Sequence, residues 1–443
     1  MKYYSTNGIV SNVSLDEAVI KGLAADKGLF MPEKIKQLPQ EFFEQIDTMN
    51  LQEIAFRVAE AFFGEDIPAD DLRKIVNETL NFDIPIVQVK ENIYSLELFH
   101  GPTLAFKDVG ARFMARMLGY FVKGGNGKSV NVLVATSGDT GSAVANGFLN
   151  VVGVQVYVLY PKGKVSEIQE KQFTTLGNNI TALEIDGCFD DCQALVKSAF
   201  MDEELRCKMF LTSANSINLA RFLPQSFYYF WGYAQLKRMG REREFVVSVP
   251  SGNFGNLTAG LFAKQMGLPI KHFIAANNRN DIFYNYLQTG EYNPRPSIAT
   301  IANAMDVGNP SNFARIISLY NNDYNAICKD ISGTTFDDRQ IAEGVKRVYS
   351  ETGYLLDPHG ACGYLALENS LGEGETGVFL ETAHPAKFKE TIEDILQQEI
   401  QIPEKLQEFM RGEKQSVALG GSFKEFKEYL LKEVLHEGSE IYY

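Results

Sequence analysis

From about residue 93, short β-rich segments alternate with helix-like segments, and this alternation constrains the fold more than any other feature of the chain. Several of the β-rich segments are apolar on both faces. We predict strands at 92–98, 130–137, 154–160, 180–186, 244–251, 271–278 and 376–383. We predict helices near 107–121, 140–149, 166–175, 190–202, 217–237 and 256–267. Such strands suit a parallel sheet covered by helices, so the sequence predicts an α/β protein.

The segments outside this alternation have the residue pattern of helices. The segment 14–25 begins with Ser14, and Glu17 lies three residues later, which is the pattern of a capping box. Further helices are predicted at 69–82 and 422–438. A chain of 443 residues is long enough for two or three domains. We predict a mainly helical N-terminal domain at 1–92 and two α/β domains at 93–240 and 241–443, with segments exchanged between domains.

Charge and cysteine content narrow the classes of function. The 42 Lys and Arg residues and 56 Asp and Glu residues give a net charge of −14, which argues against nucleic acid or an anionic membrane as the main partner. The longest apolar-rich run, 151–160, is far shorter than the roughly 18–20 residues of a membrane span. Five cysteines without a CxxC pair indicate a reduced chain and no metal site. We therefore expect a cytoplasmic protein without a secretory signal.

The segment HGPTLAFKDVGARFMARML (100–118) places a lysine at the start of a predicted buried helix. Lys107 follows three apolar residues and precedes an apolar-periodic run. Lysine is almost never fully buried unless its charge is compensated. The compensation is either an ion pair or the use of the amine in a covalent bond.

Glycine-rich loops follow three of the predicted strands, at 132–148, 246–264 and 377–388. Ligands of open α/β sheets bind beyond the carboxyl ends of the strands. The sequence SGNFGN (251–256) is suited to bind an anion through backbone N–H groups at a helix start, or it is an ordinary tight turn. The sequence SGDTG (137–141) suits a carboxylate or phosphate, or Asp139 is simply a helix N-cap.

Two further polar segments have alternative interpretations. In NSINLAR (215–221), Arg221 is suited to bind a phosphate or carboxylate, or it is a solvated arginine on a capped helix. The sequence GNGKS (125–129) superficially resembles a P-loop. Val122 stands where the first glycine should be, and the segment precedes a strand instead of following one. We interpret 123–129 as a surface turn.

Taken together, these features fit pyridoxal phosphate (PLP) as cofactor. The anion-binding loop suits the cofactor phosphate, and Thr382 supplies a hydroxyl at the end of a strand. A Schiff-base lysine loses its positive charge when the amine is free, and desolvation lowers the pKa of this amine until it can act as a base. This explains how Lys107 can lie at the start of a buried helix.

Five motifs in this order and spacing resemble the threonine synthase family: HGPTLAFKD, ATSGDTG, NSINLAR, VPSGNFGN and ETAHPAKF. The N-terminal sequences YYSTNG and VSLDEAVIKGLAADKGLFMPE resemble it too, so the resemblance runs from about residue 3 to 395. It implies PLP fold type II (tryptophan synthase β-like), with two α/β sheet domains plus a helical N-terminal segment. The implied reaction converts O-phospho-L-homoserine and water to L-threonine and phosphate. The implied chain is a monomer.

The resemblance also implies roles for individual residues. Lys107 is the Schiff-base lysine, and Thr382 bonds the pyridine nitrogen. The cofactor phosphate loop comprises Gly252, Asn253, Phe254, Gly255 and Asn256, where Asn256 replaces the aspartate of many relatives. The substrate α-carboxylate is assigned to Thr136, Ser137, Asp139 and Thr140, with Asp139 organising the loop, and the substrate phosphate to Asn215, Ser216 and Arg221, with Lys164 assisting. We expect His100 and His384 to pack or hydrogen-bond and His359 to lie in a turn near the site.

Three other functions compete with this one. A phospholyase or dehydratase would use the same lysine and phosphate loop but would form 2-oxobutyrate instead of threonine. A protein of this fold that only binds a ligand could dispense with Lys107. A nucleotide-binding protein needs a P-loop or a dinucleotide fingerprint, and the sequence has neither.

Overall fold

The computed structural model describes residues 1–123 and 129–440. The predicted turn at 123–129 therefore lies almost entirely outside the described residues. The strands, numbered in chain order, are β1 (Tyr3–Ser5), β2 (Phe30–Pro32), β3 (Ile86–Lys90), β4 (Ile93–Glu97), β5 (Val130–Ala135), β6 (Val154–Pro161), β7 (Ile180–Ile185), β8 (Phe210–Ser213), β9 (Phe245–Pro250), β10 (Ile270–Asn277), β11 (Ile331–Thr335), β12 (Thr376–Glu381) and β13 (Val417–Leu419).

The α-helices are numbered in the same way. They are α1 (Leu15–Lys21), α2 (Gln40–Gln45), α3 (Leu51–Phe63), α4 (Ala69–Thr79), α5 (Lys107–Lys123), α6 (Asp139–Phe148), α7 (Glu167–Thr174), α8 (Phe189–Met201), α9 (Glu203–Lys208), α10 (Leu219–Phe222), α11 (Ser226–Arg238), α12 (Gly255–Gln265), α13 (Ile282–Thr289), α14 (Phe313–Leu319), α15 (Tyr324–Asp330), α16 (Asp338–Thr352), α17 (Pro358–Ser370), α18 (Lys389–Leu396), α19 (Glu404–Arg411) and α20 (Phe423–Glu440). Short 3-10 helices span Ile46–Thr48, Leu223–Gln225, Asn303–Met305 and Pro385–Phe388.

Two sheets form the framework of the described chain. The larger has the order β11-β10-β9-β12-β4-β3 and is parallel except for the antiparallel pair β3 and β4. The smaller has the order β13-β7-β6-β5-β8 and is parallel throughout. The expectation of parallel sheets is therefore confirmed. Each sheet combines distant parts of the chain, whereas the domain limits at 92 and 240 stay predictions.

The N-terminal helices position the start of α5. Helix α3 begins at the N-cap Asn50, whose side chain accepts a hydrogen bond from Glu53 N (2.8 Å). It packs against α4 and α11, and α4 packs against α5. The contacts are apolar and fully buried, as at Phe63, Phe113 and Phe227. Helix α5 is therefore held by a large core, and its first residue is Lys107.

Two local predictions are wrong in detail. Ser14 is the N-cap of α1, but its hydroxyl donates to the Asp16 carboxylate and forms no capping bond. A capping bond needs the Ser14 oxygen to accept from a backbone N–H, and the side chain is oriented towards the Asp16 carboxylate instead. The helix predicted at 217–237 is divided into α10, a 3-10 turn and α11, and the 3-10 turn contains Pro224, which has no N–H to donate to an α-helix.

No helix among the described residues is both long and apolar enough to cross a bilayer. The five cysteines are all free.

Candidate active site

A cavity of about 440 Å³ lies beyond the carboxyl ends of strands from both sheets. Residues that follow β5 and β8 line one side, and residues that follow β9 and β12 line the other. Of the residues predicted from the sequence, the cavity brings together Lys107, Thr136, Ser137, Thr140, Asn215, Ser216, Arg221, Gly252, Asn253, Phe254, Gly255, Asn256 and Thr382. Asp139 is the one predicted residue that does not line it.

Lys107 is the first residue of α5 and faces the cavity, to which its side chain is partly exposed. The preceding residues are attached to the strand-end loop after β12, because Phe106 N donates to Thr382 O (2.8 Å) and Ala105 forms a bridge with Ala383. Burial, opposed by Asp139, lowers the pKa of the Lys107 amine to about 8. About a tenth of the amine is therefore uncharged at pH 7, far more than for a lysine with its usual pKa, and the uncharged form is the one that acts as a nucleophile or base.

The loop 251–256 presents backbone N–H groups at the start of α12. Phe254 adopts a left-handed conformation (φ 61°) and places Gly255 at the first position of the helix. Within the described part of the chain, the N–H groups of residues 252–256 form no hydrogen bond. Five unpaired N–H groups at the end of an 11-residue helix fit a phosphate group.

Gly252 is required by the close approach of a second segment. A Cβ atom at this position would lie 2.8 Å from Ala304 O and 3.2 Å from Met305 Cα. Thr382, on the other side of the cavity, is 6% exposed, and we find no hydrogen bond of its hydroxyl to the described residues. A phosphate-binding loop, a lysine and a free hydroxyl in one cavity fit PLP, because they suit its phosphate, its aldehyde and its pyridine nitrogen in turn.

The side chain of Asn256 stabilises the loop itself. Its Nδ2 donates to Pro250 O (2.9 Å), and its Oδ1 accepts from Leu257 N (2.9 Å). Asn256 is buried, so these bonds use its amide within the protein. The replacement of aspartate at this position therefore leaves the backbone N–H groups available.

Thr136 organises the loop that follows β5. Its buried Oγ1 accepts from Gly138 N (2.9 Å) and Gly141 N (2.8 Å) and donates to Gly138 O (3.1 Å). The hydroxyl proton is therefore already used, although Thr136 lines the cavity. Among the described residues the hydroxyls of Ser137 and Thr140 form no such bonds, so they remain available for a ligand.

Asp139 lies behind this loop and pairs with Lys387. The Lys387 Nζ is 2.7 Å from Asp139 Oδ1, and the same oxygen accepts from Gln169 Nε2 (2.9 Å). Burial opposes ionisation, but Lys387 and Lys107 hold the pKa of the Asp139 carboxyl below its usual range. Asp139 is thus a buried anion within the protein, which agrees with a role in organising the loop.

Arg221 is a buried cation that lines the cavity. Its Nη1 donates to Lys107 O (3.1 Å), while its Nε has no hydrogen-bond partner among the described residues. Burial, opposed by Asp108, lowers the pKa of Arg221 to about 10, so the side chain remains charged at neutral pH. An incompletely bonded, buried guanidinium in the same cavity as Ser216 is suited to bind an anion.

Asn312 and Arg315 connect the two anion-binding loops. The Nδ2 of Asn312 donates to Asn253 O (2.9 Å) and Ser216 Oγ (3.2 Å), and its Oδ1 accepts from Arg315 Nη1 (2.6 Å). Arg315 is completely buried and donates its remaining bonds to the carbonyl groups of Phe30, Ser216 and Ile217. The amide of Asn312 therefore fixes the 253 loop relative to the 216 loop.

The three motif histidines have structural contacts. The Nε2 of His100 lies 2.7 Å from Glu97, and the ring of His384 packs edge-on against Phe99. His359 lines the cavity and accepts from Ala304 N (3.1 Å) through Nε2. It lies in the first turn of α17, so its predicted position near the site is correct, but it belongs to a helix and not to a turn.

Sequence reasoning missed several residues of the site. Asn303 and Asp306 line the cavity from a polar loop, and Cys188 and Gln193 line it from the side of the smaller sheet. Lys164, which was expected, lines the same side. Lys387 was quoted within ETAHPAKF but not assigned a role. Its signal is the same as that of Lys107, because both are lysines among apolar and small residues.

The pyridoxal-phosphate dependent enzyme family matches residues 82–382. The threonine synthase N terminus and the threonine synthase C-terminal family match residues 2–80 and 360–430. The chain is 45% identical over 436 residues to a threonine synthase from Serratia marcescens, which covers 97% of this chain and 99% of that protein.

Solved structures of threonine synthases are also similar to this chain. The crystal structure of threonine synthase from Escherichia coli has a TM-score of 0.91 and 43% sequence identity, and the match covers 98% of this chain and 100% of that chain. A PLP-bound threonine synthase from Brucella melitensis has a TM-score of 0.92 and 36% identity, and the match covers 97% and 98% of the two chains. The fold and the cavity thus define a PLP-dependent enzyme of fold type II. Within that class, the chain belongs to the threonine synthase family.

Proposed function

We propose that the chain converts O-phospho-L-homoserine and water to L-threonine and phosphate in the cavity described above, with Lys107 as the residue that carries PLP. The observation that supports this most strongly is the position of Lys107. Its partly neutral amine shares one cavity with the unpaired N–H groups of residues 252–256 and the free hydroxyl of Thr382. We infer the reaction itself from the membership of the chain in the threonine synthase family.

Residues 252–256 would hold the cofactor phosphate through their backbone N–H groups, and Thr382 would face the pyridine nitrogen. When bound, PLP supplies an electron sink for the carbon atoms of the substrate. A neutral hydroxyl at the ring nitrogen favours a protonated ring less than a carboxylate does. We infer that Thr382 thereby restrains side reactions such as transamination.

Lys107 Nζ would act as the proton carrier. The reaction removes phosphate from Cγ of the substrate and adds water at Cβ, so protons must move between Cα, Cβ and Cγ. An amine with a pKa near 8 can both accept and return a proton at neutral pH. Its attachment to α5, which the core holds firmly, keeps the amine in place between these carbons.

The two anionic ends of the substrate have separate binding sites. The hydroxyls of Ser137 and Thr140, at the start of α6, would bind the α-carboxylate, in a loop that Thr136 and Asp139 organise. Asn215, Ser216 and the incompletely bonded guanidinium of Arg221 would bind the phosphate. The exposed Lys164 would add a screened positive charge at the cavity wall.

Borohydride reduction of the holoenzyme followed by peptide mapping tests the cofactor assignment. Lys164 is an internal control, because it lines the same cavity but its side chain is exposed. We expect the pyridoxyl group on Lys107 and equal amounts of threonine and phosphate from O-phospho-L-homoserine. Phosphate released together with 2-oxobutyrate would instead assign the chain to the phospholyases.

The variants Arg221→Leu and Arg221→Lys test the phosphate assignment. Loss of a hydrogen bond to a charged group costs about 1.5–3 kcal/mol, so KM should rise roughly 10- to 150-fold in Arg221→Leu. Arg221→Lys keeps the charge but lacks the planar fork, and we expect an intermediate value. Because Arg221 also contacts Lys107 O, inhibition by inorganic phosphate is measured in parallel. Unchanged KM and unchanged phosphate inhibition in Arg221→Leu would refute the assignment.

We further propose that the chain acts as a monomer in the cytoplasm. The full N-terminal segment resembles that of relatives expected to be monomeric, and the five free cysteines suit a reducing compartment. Light scattering coupled to gel filtration tests the first part, since a monomer has a mass of 49.5 kDa.

A further inference from the structure

Lys387 is a second buried lysine near the cavity, and the mechanism above does not use it. It lies in the 3-10 helix Pro385–Phe388, and its side chain has no exposed surface. Its Nζ binds Asp139 Oδ1 (2.7 Å) and Thr103 O (2.8 Å). A lysine that is this deeply buried is costly unless its charge is compensated, and here the compensation is a single carboxylate.

The pair connects three chain segments around Lys107. Asp139 follows β5 of the smaller sheet, Lys387 follows β12 of the larger sheet, and Thr103 lies four residues before Lys107. The loop after β12 is also bonded to Phe106 N, next to Lys107. The pair is therefore one of the contacts that a movement of one sheet relative to the other would strain.

The two charges act on Lys107 in opposite directions. Asp139 stabilises the charged form of the Lys107 amine, whereas Lys387 and Arg221 destabilise it. Asp108, which follows Lys107 on α5, accepts bonds from Thr103 N (2.9 Å) and Thr103 Oγ1 (2.7 Å). The cavity that Lys107 faces is also lined by Lys164, Asp190 and Asp306. Without Lys387, Asp139 would be an uncompensated anion beside Lys107.

We propose that the Asp139–Lys387 ion pair is a positioning element for Lys107, which keeps the amine reactive by presenting it with a balanced pair of charges. This inference rests on the proposed function of Lys107 and deepens it. Neither member of the pair lines the cavity, so neither touches the substrate. Lys387 also neutralises the charge of Asp139. Without Lys387, Lys107 would be the cation that pairs with Asp139.

Single replacements should shift the titration of Lys107 in opposite directions. Lys387→Met leaves the Asp139 carboxylate beside Lys107, so the pKa of Lys107 should rise by about one to two pH units. Asp139→Asn leaves the positive charge of Lys387, so the pKa should fall. The double variant Asp139→Asn with Lys387→Met should return close to the wild-type value, because both charges are absent. Lys389→Met is the matched control, because it removes a partly exposed lysine two residues away that pairs with Glu393.

The experiment measures the reactivity of Lys107 against pH in the full chain without PLP. Competitive acetylation with acetic anhydride, read at Lys107 by mass spectrometry, gives the titration midpoint. The pH profile of kcat of the holoenzyme gives a second value, because Lys107 is free once the substrate amine has replaced it on PLP. Midpoints that move apart in the two single variants, and not in Lys389→Met, support the proposal. Lys107 midpoints that are unchanged in the two single variants, or that shift in the same direction, overturn the proposal. A pair with only a structural role would change the stability of the protein without shifting the two midpoints in opposite directions.

Folding and the cofactor assignment are separated by two further measurements. Lys387→Gln retains a donor for Thr103 O and replaces Lys387→Met if the latter does not fold. Borohydride mapping is repeated on each variant that folds. A pyridoxyl group on a lysine other than Lys107 in the wild type would overturn the proposed function and, with it, this inference. A pyridoxyl group on Lys107 with undivided midpoints would overturn the inference alone.

Discussion

Replacement of Thr136 by valine removes the acceptor that holds the loop 137–141, with almost no change in side-chain shape. Two buried N–H groups, those of Gly138 and Gly141, would lose their acceptor. Each buried donor without a partner costs about 1–3 kcal/mol, so the valine variant should lose about 2–6 kcal/mol of loop stability. The loop start of α6 should then open more often, and the proposed carboxylate site should weaken with it.

Two smaller replacements calibrate this value. Thr136→Ser keeps the oxygen and loses one buried methyl group, which is worth about 1 kcal/mol. Thr136→Ala also loses the acceptor, but Thr136 lines the cavity, so a water molecule can enter the vacated volume and accept from the same N–H groups. We therefore expect the order serine, alanine, valine from mildest to most severe, although alanine is the largest truncation.

Hydrogen–deuterium exchange of the peptide that contains Gly138 and Gly141 measures the effect directly. A cost of about 2 kcal/mol or more corresponds to exchange roughly 30-fold faster or greater in the valine variant. Peptides of α16, remote from this loop, serve as the internal reference. If the valine variant exchanged as slowly as the serine variant, the three bonds of the Thr136 hydroxyl would not be what holds the loop.

Three other perturbations follow from the same geometry. Burial, reinforced by His100, lowers the pKa of His384 to about 4, so the unfolded chain takes up a proton between about pH 6.5 and 4 that the folded chain does not. The free energy of unfolding falls by up to about 3 kcal/mol as the pH falls through this range. The variant His384→Asn keeps an acceptor for Ala386 N and should abolish this loss. Urea titrations at pH 6.5 and pH 4 measure the difference. In the chain without PLP, Lys107→Met should be more stable than the wild type by up to about 3 kcal/mol at pH 7. That advantage should shrink between about pH 8 and 10.5, where the folded wild type releases a proton that its unfolded chain retains, and equal urea midpoints at pH 7 would contradict it. Thr382→Asp should increase side products relative to threonine, measured by chromatography, and an unchanged ratio would exclude the inferred role of the hydroxyl.

The predicted strands and cavity motifs agree with the structure because their signals are local. Strand β5 is apolar on both faces, and the loops after β5 and β9 carry glycine and hydroxyl residues within a few positions. Helix α16 was missed although its capping box at Asp337 and its apolar residues at helical spacing can be read from the sequence. In contrast, the capping pattern at Ser14 is present in the sequence, but the Ser14 side chain donates to Asp16 and accepts no capping bond.

The connections behind the site could not be predicted in this way. Arg315 binds the carbonyl group of Phe30, which is 285 residues away, and Lys387 binds Thr103 O at a separation of 284. Such contacts depend on how two sheets and an N-terminal segment come together, which no window of sequence contains. The residues proposed to bind a ligand follow strands and are visible in motifs, whereas the residues that hold them come from elsewhere in the chain.

The amide of Asn312 is shared by the 253 loop and the 216 loop, and sharing has a thermodynamic consequence. A ligand that orders one loop also orders the other loop in part, and so changes the affinity of the other loop for its ligand. Thermodynamic linkage requires the two changes in affinity to be equal. On the proposed assignment of the two loops, the binding of the cofactor phosphate and the binding of the substrate phosphate are therefore coupled. An engineer who reshapes the substrate loop for a different leaving group must also expect to alter how firmly the cofactor is held, and Asn312 is the residue at which the two affinities would be tuned together.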